Sequence, residues 1–175
     1  MISYAIHVLS QISAEQWLIL LLLSVVMVGA RRGYLRLVKA HLKHSAGRRQ
    51  GMDYAATICT ALTLWSTLLL RIPGTEHQAK LVPLWSWYQG IFLGNDVIRW
   101  QIYFNILLFL PLGFFSCLSK ARPLVRNILR GLLLSLFVEV CQYIFCLGLF
   151  EWDDLIHNTL GYALGYRCAI KAGKM

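Results

Sequence analysis

The sequence predicts an all-α fold, a polytopic transmembrane helix bundle of about five spans formed by residues 1–175 as one membrane domain. Three observations predict it. The composition is 58% hydrophobic and 14% charged, with a mean hydropathy of +0.58, whereas soluble domains carry about 25% charged residues. Apolar runs recur at the length of a membrane span. Basic residues gather in alternate connections between these runs, as the positive-inside rule requires.

Five apolar segments are candidate spans, because a helix needs about 20 mostly apolar residues to cross a bilayer. The first is "WLILLLLSVVMVGA" (17–30), and the second is "YAATICTALTLWSTLLL" (54–70). The third covers 97–118 and the fourth covers 127–150. The fifth, "LIHNTLGYALGYRCAI" (155–170), is short, and whether it crosses fully is left open.

The charges predict the orientation of the bundle. Most of the 17 Lys and Arg residues lie in the 31–49 loop, between the third and fourth segments, and in the C-terminal tail. These parts should face the cytoplasm, with the N-terminus outside and the C-terminus inside. The basic loop is explained by this topology and by contact with anionic membrane lipids, so nucleic acid is not expected as a partner. No Lys or Arg precedes the N-terminal apolar part, so we expect no cleaved signal peptide.

Polar residues inside the apolar segments are the candidate site, because such groups are costly in lipid. Glu139 lies well inside the fourth segment, with Gln142 on the same face. The two side chains could instead join neighbouring helices by hydrogen bonds. Asn105 lies near the outer end of the third segment. Pro111 follows it and predicts a kink, and Gly113 would let another helix approach closely.

The stretch "FEWDDLIHNTLGYALGY" (150–166) places carboxylates where the fifth segment begins. Capping of that helix explains one aspartate, but it does not explain Asn158, which follows Asp154 on the same face. Gly161 and Gly165 continue this face with the spacing of a helix-packing motif. By depth, we predict one polar pocket, open to the outer surface, formed by Asn105, Glu139, Gln142, Asp154 and Asn158.

A metal site was weighed and is not predicted. Asp153, Asp154 and His157 have helical spacing, but zinc sites usually use more His or Cys, and a lone His here is typically a solvated or capping partner. Cys141 and Cys146 are interpreted as packed apolar residues rather than nucleophiles. No cofactor is implied.

Together these residues resemble the VanZ-like family of small bacterial membrane proteins. The likeness lies in "LVPLWSW" (81–87), "FNILLFLPLGFF" (104–115) and two blocks within 135–166, so that 81–166 is the VanZ-like core. The positions that match the family pattern are Asn105, Pro111, Gly113, Glu139, Gln142, Asp154, Asn158, Thr159, Gly161 and Gly165. Relatives often carry Arg where this chain has Gly148, which leaves the role of that Arg in doubt, and Asp where it has Glu151.

The resemblance implies a multi-pass protein of the bacterial plasma membrane. The family's named member is associated with reduced sensitivity to teicoplanin, a lipoglycopeptide that acts on cell-wall precursors outside the membrane. The leading hypothesis is therefore a non-enzymatic envelope protein whose outer pocket engages a lipid, a lipid-linked precursor or the antibiotic. The alternatives are a membrane enzyme that uses Glu139 or Asp154 as acid or base, and a subunit that packs against a partner chain through Gly161 and Gly165. The oligomeric state is left open.

Overall fold

The structure, a computed structural model, describes residues 18, 21–22, 24–29, 47–119 and 123–172. The labelled elements, in chain order, are α1 (Gly47–Leu64), β1 (Gln78–Lys80), α2 (Trp85–Trp87), α3 (Asp96–Ser119), α4 (Leu124–Ile144), β2 (Leu149–Glu151) and α5 (Trp152–Ala172). Helices dominate these residues, which confirms the all-α class. Residues 17, 19–20, 23 and 30 of the first predicted span and the 31–46 part of the basic loop lie outside the described residues, and the rest of that span is helical.

One helix of the described chain, Asp96–Leu118, is long and apolar enough to cross a membrane by length and composition. The second predicted segment is helical in the second part of α1 and in the π-helical turn Trp65–Leu69, and the fifth lies within α5. The fourth is helical only as far as Ile144, because a turn follows and residues 149–150 belong to β2. The five-span arrangement with its N-out, C-in orientation therefore stays a prediction.

Beyond its first turn, which carries the exposed Arg126, helix α4 buries its most polar side chains and exposes many apolar ones. Its buried side chains include Ser135, Glu139 and Gln142, while Leu133 and Phe137 are more than half exposed. A helix on the surface of a soluble protein shows the opposite pattern. The α4 pattern is typical of a helix whose outer face contacts lipid and whose polar groups face the bundle interior.

Helices α3 and α5 are parallel and pack with their backbones in direct contact. Gly161 lies against the carbonyl of Ile106, and Gly165 lies against that of Leu110. The second contact is one turn further along both helices, so the helices run in the same direction. A Cβ atom at either glycine would overlap these carbonyl oxygens. The face of α5 that carries the two glycines is therefore occupied within the chain by α3. The core beside this contact contains Phe109, Leu112 and Tyr162.

A short parallel strand pair closes the end of the bundle at which α3 and α5 begin, which we call the acidic end. β1 pairs with β2, with Gln78 opposite Leu149 and Lys80 opposite Glu151. A π-helical turn, Trp65–Leu69, continues α1 towards this end. The pairing holds the long connection between α1 and α3 against the connection between α4 and α5.

Candidate functional site

At the acidic end, Asn105 of α3 and Asp154 of α5 bind each other directly. The Asn105 amide donates to the Asp154 carboxylate, with Nδ2 to Oδ1 at 2.7 Å. One turn along α5, Asn158 Nδ2 donates to Ser135 Oγ of α4 at 3.0 Å. The Ser135 hydroxyl in turn lies 3.5 Å from the carbonyl oxygen of Asp154. These contacts connect α3, α4 and α5 through polar side chains.

Glu139 and Gln142 border the same region from α4. Glu139 is 1% exposed, and its Oε2 accepts a hydrogen bond from the Glu151 backbone N–H at 3.0 Å. It also interacts electrostatically with Asp154 and Arg71. Gln142 Nε2 donates to the Thr67 carbonyl at 3.0 Å, which anchors the π-helical turn after α1. The structure thus brings all five predicted site residues to one end of the bundle.

Pro111 lies within α3, which runs without a break from Asp96 to Ser119. Gly113 is buried, and a Cβ atom there would overlap the backbone carbonyl of Tyr162 on α5. Both residues lie further along α3 than Asn105 and take no part in the polar contacts described above.

Asp153 has a partner that sequence reasoning missed. The sequence assigned one aspartate to capping its own helix, but the Asp153 carboxylate binds the N-terminus of α2 instead. Oδ1 accepts from the Leu84 N–H at 2.5 Å, and Oδ2 accepts from the Ser86 N–H at 2.8 Å and the Ser86 hydroxyl at 2.6 Å. Asp153 is 3% exposed. The carboxylate therefore fixes the "LVPLWSW" segment (81–87) over the site.

His157 is buried, so the expectation of a solvated side chain is wrong. Its ring lies 5.6 Å from the Trp87 ring, and Nδ1 lies 3.6 Å from Asp154 Oδ1. Within the described part of the chain, neither ring nitrogen has a hydrogen-bond partner. No group of three or more His, Cys, Asp or Glu residues there is placed to hold a metal ion.

Cys146 is half-buried beside His77, a contact that the sequence did not indicate. Its Sγ lies 3.4 Å from His77 Nδ1, and that nitrogen donates to the Tyr143 carbonyl at 2.7 Å. The backbone of Cys146 has a φ of 53°, which is uncommon for a residue other than glycine. The residue therefore belongs to a tight turn at the acidic end.

Glu151 gives the site a second group of charges. Burial, followed by the nearby charge of Asp154, raises the pKa of the Glu151 carboxyl above its ordinary value, and Lys80 opposes this effect. Lys80 lies opposite Glu151 in the register of the two strands. Its Nζ lies 2.9 Å from the centre of the Trp85 ring. Such a cation–π contact holds the Lys80 side chain against α2.

Arg71 lies directly over Gly148. A Cβ atom at Gly148 would overlap Arg71 Nη1, so a larger residue would displace the guanidinium. Nη1 also lies 3.5 Å from the Leu147 carbonyl oxygen. Although residue 148 is not an arginine, a guanidinium therefore lies just before the acidic stretch, supplied by the segment after α1.

A groove of about 460 Å³ opens between α1 and α3 beside these residues. Asn105 belongs both to its wall and to the polar contact with Asp154. The groove is lined by Cys59, Leu62, Thr63, Ser66, Thr67, Arg71, Phe104, Asn105, Leu107, Leu108 and Pro111.

A comparison with protein families found a match to the family model described as VanZ/LLP1, over residues 54–172. The match includes every candidate site residue and all the labelled elements after α1. No curated protein and no solved structure gave a match.

Proposed function

Because the chain belongs to the VanZ/LLP1 family, we propose that it is a multi-pass protein of the bacterial plasma membrane whose acidic end faces outward. Its polar site engages a lipid, a lipid-linked cell-wall precursor or a lipoglycopeptide, and thereby lowers sensitivity to teicoplanin-type drugs. The single observation that carries this proposal is the assembly of amide and carboxyl side chains from three helices at one end of the bundle.

The membrane setting is supported by the surface of α4. Beyond the first turn, which carries the exposed Arg126, most of its exposed residues are apolar, and Ser135, Glu139 and Gln142 face the interior. In water, such a surface would be costly, whereas in lipid the same distribution places each group in its preferred surroundings. Most of the basic residues also lie on the inner side in the proposed topology, as the positive-inside rule expects, while Arg71, Lys80 and Arg99 lie at the acidic end.

The site offers unpaired acceptors to a ligand that donates hydrogen bonds. Gln142 Oε1 and Asn158 Oδ1 are buried and have no partner among the described residues. An unpaired buried acceptor costs about 1–3 kcal/mol. Hydroxyls of a sugar, or N–H groups of a peptide, would satisfy these oxygens together with the carboxylate of Asp154.

The test is drug susceptibility in a Gram-positive host that carries the wild-type gene, no gene, or the Asp154→Asn or Glu139→Gln variant. We expect only the wild type to lower teicoplanin sensitivity, with little change for vancomycin, which lacks the lipid tail. Asp96→Asn is the matched control, since Asp96 is an exposed carboxylate at the same end, paired with Arg99. The pocket proposal fails if both site variants, expressed at wild-type levels, keep the full phenotype. The resistance role fails if no strain differs.

A second candidate function is an enzyme that acts on a membrane lipid or a lipid-linked precursor. The observation that favours it is the buried Glu139 carboxyl, which is coupled electrostatically to Asp154. Two carboxyl groups in different surroundings suit acid–base catalysis. Turnover of a polyprenyl phosphate or lipid precursor by pure protein, abolished by Glu139→Gln, would support this function. Absence of turnover with folded wild-type protein would count against it.

A further inference from the structure

We propose that the groove between α1 and α3 binds a lipid with a phosphate headgroup, and that Arg71 is the residue that recognises the phosphate. This inference deepens the proposed function by naming the ligand's chemical class, and it rests on that function for the membrane setting.

The walls of the groove suit a hydrocarbon chain. Leu62, Phe104, Leu107 and Leu108 are apolar, and the nearby hydroxyl groups already donate hydrogen bonds within α1 and the π-helical turn after it. These hydroxyls donate to main-chain carbonyls one turn earlier, at 2.7–3.0 Å, from Thr63, Ser66 and Thr67. The groove therefore offers apolar surface along most of its length, with little capacity to bind a polar chain.

One end of the groove suits an anion. Arg71 is exposed there, and its guanidinium has five N–H donors. Its hydrogen bond to the Leu147 carbonyl is long, at 3.5 Å. Arg is always charged and binds phosphate oxygens in pairs. Asn105 offers an amide on the opposite wall.

The neighbouring acids do not cancel this charge within the groove. No acidic side chain is among the described residues that line it. Glu139, which interacts with Arg71, is 1% exposed and does not line the groove. Asp154 is separated from the groove by Asn105, which donates to it. Glu139 therefore helps to orient Arg71 while the exposed donors remain available to a ligand.

The polarity of the groove also sets the direction of the lipid. Arg71 and Asn105 lie at the acidic end, and the apolar wall continues along α3 to Pro111. Six residues of α-helix separate Asn105 from Pro111, which is about 9 Å. A phosphate at Arg71 would place the hydrocarbon chain towards the middle of the bundle, as in the outer leaflet of a membrane with the proposed topology.

Binding is measured with the full chain in detergent, by native mass spectrometry or titration, with three probes. The probes are phosphatidylglycerol, diacylglycerol with the same chains, and glycerol phosphate without chains. We expect phosphatidylglycerol to bind most tightly and glycerol phosphate to bind far more weakly. Arg71→Gln should weaken phosphatidylglycerol binding roughly 10- to 100-fold, the range for lost hydrogen bonds to a charged group, and leave diacylglycerol unchanged. Arg99→Gln is the control, since Arg99 is paired with Asp96 at the same end.

Two further pairs of variants separate the headgroup site from the groove. Gly148→Ala should displace the Arg71 guanidinium and weaken phosphatidylglycerol binding as Arg71→Gln does. A Cβ atom at Gly74 would lie 3.5 Å from the Cys146 carbonyl oxygen, which is an ordinary contact. Gly74→Ala is therefore its control. Leu107→Trp should block both lipids, and Leu133→Trp, at similar exposure on α4, should block neither. The double variant Arg71→Gly with Gly148→Arg should bind phosphatidylglycerol more tightly than Arg71→Gln, because an arginine at 148 would place a guanidinium in the space that the Arg71 guanidinium occupies.

Several results would overturn the inference. Unchanged phosphatidylglycerol affinity in Arg71→Gln removes the assigned role of Arg71. Equal affinity for phosphatidylglycerol and diacylglycerol would show that the groove binds hydrocarbon chains but does not recognise the phosphate. Tight binding of glycerol phosphate would show that the site binds an anion without needing a lipid chain. If Leu107→Trp has no effect, the groove is covered by something else, such as the 17–30 segment. These measurements use purified protein and are independent of the susceptibility test. A negative binding result would not change the susceptibility result, and a negative susceptibility result would not change the binding result.

Discussion

Replacing Asp153 by alanine should loosen the acidic end more than any other single change of a carboxylate there. The Asp153 side chain is 3% exposed and accepts three hydrogen bonds, one from Leu84 and two from Ser86. It thereby joins α5 to a segment nearly 70 residues earlier in the chain. Asp153→Ala removes all three bonds and leaves buried N–H and O–H donors without an acceptor.

The size of the loss follows from these contacts. A hydrogen bond to a charged group contributes about 1.5–3 kcal/mol, and an unsatisfied buried donor costs a similar amount. Bonds that share one carboxylate are not additive, so we expect about 3–5 kcal/mol in the free energy of unfolding rather than the sum. On the scale of globular chains of this length, the midpoint of thermal unfolding should fall by roughly 6–20 °C.

The assay is thermal unfolding of purified variants in one detergent, followed by proteolysis of the connection between α1 and α3. Ser86→Ala removes one of the three bonds and should cost about 1 kcal/mol. Asp96→Ala is the control, because its side chain is 71% exposed, and it should change stability by less than about 0.5 kcal/mol. If Asp153→Ala is as stable as Asp96→Ala, the assigned capping of α2 is wrong.

Three other variants test the remaining contacts. Gly161→Ala should destabilise the chain by several kcal/mol because its Cβ overlaps a backbone carbonyl, whereas Gly51→Ala, with open space around it, should have little effect in the same thermal assay; similar midpoints would contradict the close α3–α5 contact. Asn105→Leu should cost about 1.5–3 kcal/mol, since it removes a hydrogen bond to a carboxylate; a double-mutant cycle with Asp154→Asn measures the coupling, and a value near zero would refute the direct bond. Because burial raises the folded-state pKa of Glu151 above 4.5, the folded chain holds that proton more tightly than the unfolded chain, so wild-type stability falls as the pH rises through the raised pKa. Glu151→Gln should therefore unfold at a higher temperature than wild type near about pH 8, with the difference vanishing near about pH 4; a constant difference would contradict the raised pKa.

Helix periodicity explains which features of the site the sequence could predict. Residues three, four, seven and eleven apart share a helix face, so the relation of Asp154 to Asn158 and to Gly161 is visible without a structure. The helix that covers this face cannot be predicted in the same way, because contacts between α3 and α5 join residues about 55 positions apart. Likewise, the three-residue strands β1 and β2 are too short to show an alternating pattern.

The binding partners of charged side chains were the least predictable part. Asp153 and Asp154 are adjacent in sequence, and both suit a helix N-terminus, yet one binds α2 and the other binds Asn105. Their different partners depend on where a distant loop returns, which local propensity does not encode.

Arg71 and Gly148 show that a comparison with the family pattern, position by position, also misses contacts between distant parts of the chain. In the sequence, Gly148 stands where relatives often carry an arginine, so a positive charge is missing just before the acidic stretch. In the folded chain, the missing side chain leaves the space that the Arg71 guanidinium occupies. Two guanidinium groups cannot share that space, and their like charges would repel each other. A larger residue at 148 would therefore require the exposed end of the Arg71 side chain to move aside, so we expect the effects of Arg71→Gly and Gly148→Ala on stability to be coupled rather than additive in a double-mutant cycle.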